Sequence, residues 1–367
     1  MDDITIQENG QTLSRVYFGR DVAGVLPHLA AFRNVLLVCD EEVLPYAHAL
    51  VKASAGQPGG GNCRLLCSVR TSEAGKNMDT VLGICCRLLE ADADRDALLL
   101  AIGGGITTDM AGFAASIYKR GIRFAFLPTT LLAQVDAAIG GKTGINFLEY
   151  KNMIGVIRQP VFTWTCTEVL RTLPRRDFVA GSAELLKTFL IDNATDSYAD
   201  AVSLLARIRQ EGLQPVHEPQ LLRLIAQAAA VKAGIVGRDQ FEHGERRLLN
   251  LGHTFAHAIE SLALHRHADI CHGEAVAMGI LLAARLSEAL SLAEPGLSER
   301  LAEDWKTCGL PVDIPFPITE MRSVMTKDKK AEGGKVHFIL IRKIGAVCSR
   351  ELEVSQAADL LANNNAI

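Results

Sequence analysis

The residues best suited to chemistry lie between positions 246 and 274. Arg246, Arg247, Asn250, His253, His257 and His272 stand there in a stretch rich in Leu, Ala and Ile. On one helix, His253 and His257 are four residues apart and project from the same face. Two imidazoles at that spacing can share a metal ion whose third ligand comes from elsewhere. Thr254 follows His253, so the pair lacks the glutamate of a metalloprotease helix. Glu184 and Lys187 lie three apart on another helical pattern, and Lys232 is set among alanine, valine and glycine. Ionisable groups among leucines and alanines point to a site, because such groups are seldom buried without use.

A second set follows glycines. The apolar run 97–102 leads into Gly103-Gly104-Gly105, and Thr107-Thr108-Asp109 then leads into a small-residue helix at 110–115. A strand, a glycine turn and a helix N-terminus make a place for phosphate, since bare backbone N–H groups and the helix dipole face the ligand. Asp40 ends another apolar run, where an acid either accepts ribose hydroxyls or caps a helix. Gly140-Gly141-Lys142-Thr143 invites a P-loop reading, but the required upstream glycine is absent, with Asp136 at its position. What remains is a lysine on a glycine loop with Lys151-Asn152 close behind, a pattern that suits a phosphorylated, polyhydroxylated ligand.

The elements that position these residues follow from periodicity. Strands are expected at 35–40, 64–69, 97–102 and 124–130, the last with hydroxyls at its end, a helix at 78–90, and a loop at 57–61. Downstream of about residue 172 the period becomes helical, over 183–190, 197–210, 219–236, 248–264, 274–292 and 296–308. The stretch 336–341 alternates, as a late strand rejoining the first domain or as part of a hairpin. The expected fold is an α/β N-terminal nucleotide-binding domain, residues 1–172, and an all-α C-terminal domain, residues 173–367. A chain of 367 residues accommodates both. With 49% apolar residues, 22% charged residues and a net charge of −4, nothing suggests a nucleic-acid or membrane partner. Nine cysteines without a C-x-x-C pair, and no apolar leader, suggest a reducing cytoplasmic setting.

Taken together, the motifs resemble the 3-dehydroquinate synthase family of sugar phosphate cyclases. The resemblance rests on Gly103-Gly104-Gly105 with Asp109-Met110-Ala111-Gly112-Phe113, on 118–123, on 128–136, and on Gly140-Gly141-Lys142-Thr143-Gly144-Ile145-Asn146. It continues through 151–155, Ala183-Glu184-Leu185-Leu186-Lys187, 248–260 and His272-Gly273-Glu274, with a weaker echo at Asp328-Lys329-Lys330. The ordered set spans roughly 73–277. It implies NAD, one divalent metal (zinc, with cobalt as the other possibility), an active site between two domains, and a homodimer.

By the same resemblance, Glu184, His253 and His272 are the metal ligands, and His257 belongs to the substrate instead. Asp136, Lys142, Asn152, Lys187, Lys232, Arg246 and Asn250 match substrate-contacting positions. Arg120 matches an arginine that reaches the substrate phosphate from the other subunit. Asp40, Glu73, Lys76, Gly104, Gly105, Ile106, Thr107, Thr108, Asp109, Thr129, Thr130, Lys142, Lys151 and the strand end Val169, Leu170, Arg171, Thr172 fall to NAD. Thr107-Thr108 stands where the family has a small apolar residue and glycine, which bears on how closely the pyrophosphate approaches. Thr188 replaces a more usual aromatic or histidine.

The implied reaction is a lyase reaction on a phosphorylated seven-carbon sugar acid, 3-deoxy-D-arabino-heptulosonate 7-phosphate. It comprises transient oxidation, phosphate elimination, reduction, ring opening and an intramolecular aldol closure. An imidazole such as His257 is a suitable proton shuttle. Two rivals share parts of the pattern: another sugar phosphate cyclase, and a metal-dependent alcohol or glycerol dehydrogenase. A dehydrogenase has no need of Lys142, Lys187, Lys232 and Arg246 together.

Overall fold

The computed structural model describes residues 2–55, 62–148, 150–194, 196–329 and 335–364. It contains two compact units, Met1–Pro174 with Pro215–Phe241, and Arg175–Gln214 with Glu242–Ile367. The segment 215–241, expected in the helical half, packs with the first unit. The reason is apolar: Ala229, Ala233 and Val236 of its helix bury against Ile6 and Val16.

In chain order the first unit comprises β1 (Ile4–Glu8), β2 (Gln11–Gly19), α1 (Leu26–Leu29), β3 (Asn34–Asp40), α2 (Leu44–Ala55), β4 (Asn62–Val69) and α3 (Met78–Glu90). There follow β5 (Leu98–Gly103), α4 (Gly105–Ile117), β6 (Arg123–Pro128), β7 (Lys142–Phe147), β8 (Tyr150–Ile157) and β9 (Phe162–Cys166). The helix Pro219–Arg238 is α7 in the count of the whole chain. Seven strands form one sheet in the order β1-β2-β9-β6-β5-β3-β4, parallel except for the β1–β2 pair.

Of the strands expected from apolar runs, β3, β5 and β6 are central with both faces covered, whereas β4 lies at the edge of the sheet. Leu37, Leu100 and Leu127 enter one core, whereas Leu36, Leu99 and Phe126 enter the other. That two-sided burial explains continuous apolar runs in place of alternation. Gly103 pairs with Pro128 across β5–β6, so the glycine turn and Thr129 emerge at one end of the sheet, where open α/β sheets bind ligands. Helix α7 is long and apolar enough to cross a membrane by length and composition, and half of that window is buried within the protein.

The second unit comprises α5 (Arg175–Ile191), α6 (Ser197–Glu211), α8 (His253–His265), α9 (His272–Ala289), α10 (Leu297–Cys308), α11 (Ile318–Lys329), β10 (Lys335–Lys343), β11 (Ala346–Glu353) and α12 (Val354–Asn364). It is therefore helical but not all-α: β10 and β11 form an antiparallel hairpin, the second of the two expectations for 336–341. The expected helix 248–264 is also interrupted. Glu245–Asn250 is a 3₁₀ turn, Gly252 takes φ +77, and α8 begins only at His253.

Helix α9 lies at the centre of this unit, with Ala275, Val276, Ile280, Leu281 and Ala284 fully buried. Two glycines let it approach its neighbours. A Cβ at Gly273 would lie 2.1 Å from the Ala180 carbonyl oxygen of α5, and one at Gly279 would lie 2.3 Å from that of Gly252. Of the remaining expectations, the loop 57–61 and Lys330 fall outside the described residues.

Candidate active site

In the second unit, Glu184, His253 and His272 converge. Each offers a ligand atom, and those atoms lie within 4.8 Å of one another. Glu184 Oε1 stands 3.5 Å from His272 Nε2 and 3.8 Å from His253 Nε2. A tetrahedral ion with ligands about 2.1 Å away needs its ligand atoms about 3.4 Å apart, so this set fits a divalent metal with little movement. A set of three protein donors is the arrangement of catalytic metal sites, which keep a fourth position open.

The positions follow from local folding. Glu184 sits mid-helix on α5 and is fully buried, as is Lys187 one turn later, whose Nζ is 2.5 Å from Glu184 Oε2. His253 and His272 open α8 and α9. The start of α9 is held twice. Gly273 abuts Ala180, and Arg176 at the start of α5 grips Glu274 with Nε and Nη2, at 2.8 and 2.9 Å, while also bonding Asp269.

The two imidazoles differ electrically. Burial, with Lys187 nearby, pushes His253 down to about 3, so its ring is neutral. Its Nδ1 lies 3.1 Å from the Leu251 carbonyl, which can only accept, so Nδ1 carries the proton and the lone pair is on Nε2. Burial also opposes charge on His272, but Glu184 and Glu260 outweigh it and hold the ring up at about 10. A proton and a metal thus compete for the same place.

His257 remains on the same α8 face, its ring 5.7 Å from that of His253, and it is exposed. Arg246 is buried on the 3₁₀ turn, and Asn250 Nδ2 donates to Glu242 Oε1 at 2.7 Å. Because Gly252 breaks the helix, these two are not on a continuation of the α8 face, as an unbroken helix running through 246–264 would have placed them.

The first unit holds two further groups. In one, Lys76 Nζ donates to Asp109 Oδ2 at 2.6 Å and to Asn152 Oδ1 at 2.5 Å. Asn152 N–H donates in turn to Asn146 Oδ1, and Asn146 Nδ2 to Glu73 Oε2. Asn152 holds a left-handed backbone, φ 54. Burial raises Asp109 to about 6 against the opposing pull of Lys76. In the other group, Lys232 Nζ donates to the carboxylate and the carbonyl of Asp136, both at 2.7 Å. Asp136 lies on a five-residue π-turn, Ala133–Ala137, a form that often marks functional sites.

The glycine turn fits a pyrophosphate. Gly104 caps α4 without any side-chain bond, so the first-turn amides remain for a ligand. Helix α4 begins at Gly105, earlier than expected, so Thr107 and Thr108 lie within its first turn. Both turn inward: Thr107 is buried against Gly103, and the Thr108 hydroxyl donates to the Gly105 carbonyl. Thr129 N–H donates to Gly103 O, and the Thr130 hydroxyl accepts from Ala133.

Asp40 acts here as a cap, accepting from Glu42 N–H and from the Thr71 hydroxyl. Val169, Leu170 and Arg171 form a 3₁₀ turn ending at Thr172, not a strand end. Lys142 and Lys151 are exposed on the β7–β8 hairpin. Arg120 stands on an exposed turn with φ 66 and joins neither group. Sequence reasoning overlooked Asn146, Arg176, Asp269 and Glu260, although Glu260 lies seven residues after His253 on one face of α8.

Solved structures of sugar phosphate cyclases share the whole architecture. A 2-deoxy-scyllo-inosose synthase complexed with carbaglucose-6-phosphate, NAD+ and Co2+ matches with a TM-score of 0.82 at 22% identity, over 99% of both chains. The 2-epi-5-epi-valiolone synthase of Streptomyces hygroscopicus subsp. jinggangensis 5008, with NAD+ and Zn2+ bound, matches with a TM-score of 0.81 at 28% identity, over 95% of this chain and 96% of that one. Fold and clusters together define an enzyme of the sugar phosphate cyclase type.

The family is narrower. The 3-dehydroquinate synthase N-terminal pattern matches residues 66–180 and the C-terminal pattern residues 181–331. The 3-dehydroquinate synthase of Mesorhizobium japonicum is 38% identical over 354 residues, covering 95% of this chain and 90% of that protein. The chain belongs to the 3-dehydroquinate synthase family.

Proposed function

We propose that this chain eliminates phosphate from 3-deoxy-D-arabino-heptulosonate 7-phosphate and closes the product to 3-dehydroquinate. The carrying observation is the Glu184, His253, His272 cluster, built against buried Lys187. When bound, NAD supplies a reversible hydride acceptor, and a divalent metal, zinc or cobalt, supplies a Lewis acid for neighbouring hydroxyl oxygens.

In this reading, Glu184 and the two Nε2 atoms hold the metal, and the first-turn amides of α4 hold the NAD pyrophosphate. Lys76, Asp109, Glu73, Thr129 and Thr130 orient the nucleotide. Lys142, Lys232, Arg246 and Arg120 neutralise the substrate phosphate and carboxylate, since a dianion leaves more readily when its charge is met. Asp136, Asn152 and Asn250 orient hydroxyls, and exposed His257 moves protons. A cytoplasmic setting belongs to the same reading and is supported by nine free thiols. So does a homodimer, supported by Phe147, Leu148, Tyr150 and Met153 left exposed on the β7–β8 hairpin.

The assay is incubation with the heptulosonate phosphate, NAD and Zn2+ or Co2+, following phosphate and NADH. Phosphate released without net NADH is expected. Net NADH from simple alcohols would indicate a dehydrogenase, and no turnover of the heptulosonate would sink the reading.

A further inference from the structure

We infer that Glu260 is a positioning residue, fixing the His272 ring so that Nε2 faces the metal. The inference rests on the metal reading of Glu184, His253 and His272 given above. Glu260 Oε1 lies 3.4 Å from His272 Nδ1, while Nε2 of the same ring lies 3.5 Å from Glu184 Oε1. The Glu260 side chain is only 8% exposed. It stands on α8 among Phe255, Ala256, Ala258, Ile259 and Ala263, all buried, where an acid costs desolvation. An ionised carboxylate only accepts, so in the neutral ring Nδ1 must donate and the lone pair falls on Nε2. A carboxylate behind a ligating imidazole fixes both tautomer and rotation and strengthens the donor.

The two histidines are therefore backed differently. His253 leans on the neutral Leu251 carbonyl and is anchored by its place at the start of α8. His272 is half-exposed and leans on an anion from a different helix. Glu260 thus ties α8 to the ligand carried by α9, so both histidines are set by one helix.

The test is Co2+ affinity of the metal-stripped full chain, by chelator competition and by visible absorption of bound Co2+, for wild type, Glu260→Gln and Glu260→Ala. Gln keeps an acceptor oxygen without the charge, whereas Ala keeps neither. The expected order is wild type, Gln, Ala, with Ala about 10- to 100-fold weaker and its Co2+ spectrum altered. If Ala does not fold, Gln against wild type decides, and equal affinity overturns the inference. Wild-type affinity and spectrum in both variants overturn it as well. The metal reading fails separately, if wild type binds no Co2+ or Glu184→Ala binds it as tightly; the inference then falls with it.

Discussion

Gly273 stands so close to Ala180 that no side chain fits between α9 and α5: a Cβ at 273 would lie 2.1 Å from the Ala180 oxygen and 2.5 Å from its carbonyl carbon. Both atoms are backbone, so neither can swing aside. The contact sits one residue beyond His272, and Ala180 lies four residues, about one helical turn, before Glu184 on α5, so it sets the distance between two candidate ligands. Gly273→Ala must separate the helices, at a cost of about 1–3 kcal/mol or more. Expected are a lower thermal midpoint and weaker Co2+ binding by the stripped protein. An unchanged midpoint with unchanged Co2+ affinity contradicts this account of the packing.

The first unit offers a pH test. Burial raises Asp109 to about 6 from an ordinary 3.8, although Lys76 donates to it. Below about 4 both folded and unfolded chains hold the proton. Between about 4 and 6 the unfolded chain releases it first, so rising pH removes stability; above 6 the loss is complete. The difference in unfolding free energy between wild type and Asp109→Asn should therefore fall by about 2–3 kcal/mol from pH 4 to pH 7. Urea unfolding at several pH values measures it. A difference that is flat or rises with pH is the contrary result.

Much of the molecule was legible because its signals are local. The apolar runs of β3 and β5 announce strands buried on both faces, and Gly103-Gly104-Gly105 announces the turn into α4. Glu184, His253 and His272 were reached by resemblance; helical spacing alone would have paired His253 with His257, which the structure leaves exposed. What was missed depended on partners. Strand β8 is exposed along almost its whole length and has no alternation to read. Its Gly155 faces Gly144, where a Cβ would meet the opposing backbone, so these glycines serve close strand packing and not a turn. The leucines of 248–251 run straight into α8 in sequence, and only the left-handed Gly252, wedged against α9, shows the break. Helix α12 was readable and unread, with Val354, Ala357, Ala358 and Leu361 buried at helical spacing.

Thr107 is the departure that looked most threatening to NAD, and its surroundings give the reverse expectation. Its side chain is fully buried, lodged in the space left by the missing side chain of Gly103, where a Cβ would come within 2.4 Å of Oγ1. It therefore does not project over the α4 amides. The hydroxyl makes no hydrogen bond among the described residues. A buried hydroxyl without a partner costs about 1–3 kcal/mol, and valine has the same branched shape without that group. Thr107→Val should raise the thermal midpoint, corresponding to about 1 kcal/mol, and leave the NAD dissociation constant within twofold. Calorimetric unfolding and NAD titration check the two halves together. A fall in stability would mean the hydroxyl has a partner, and a large loss of NAD affinity would mean the side chain faces the cofactor after all.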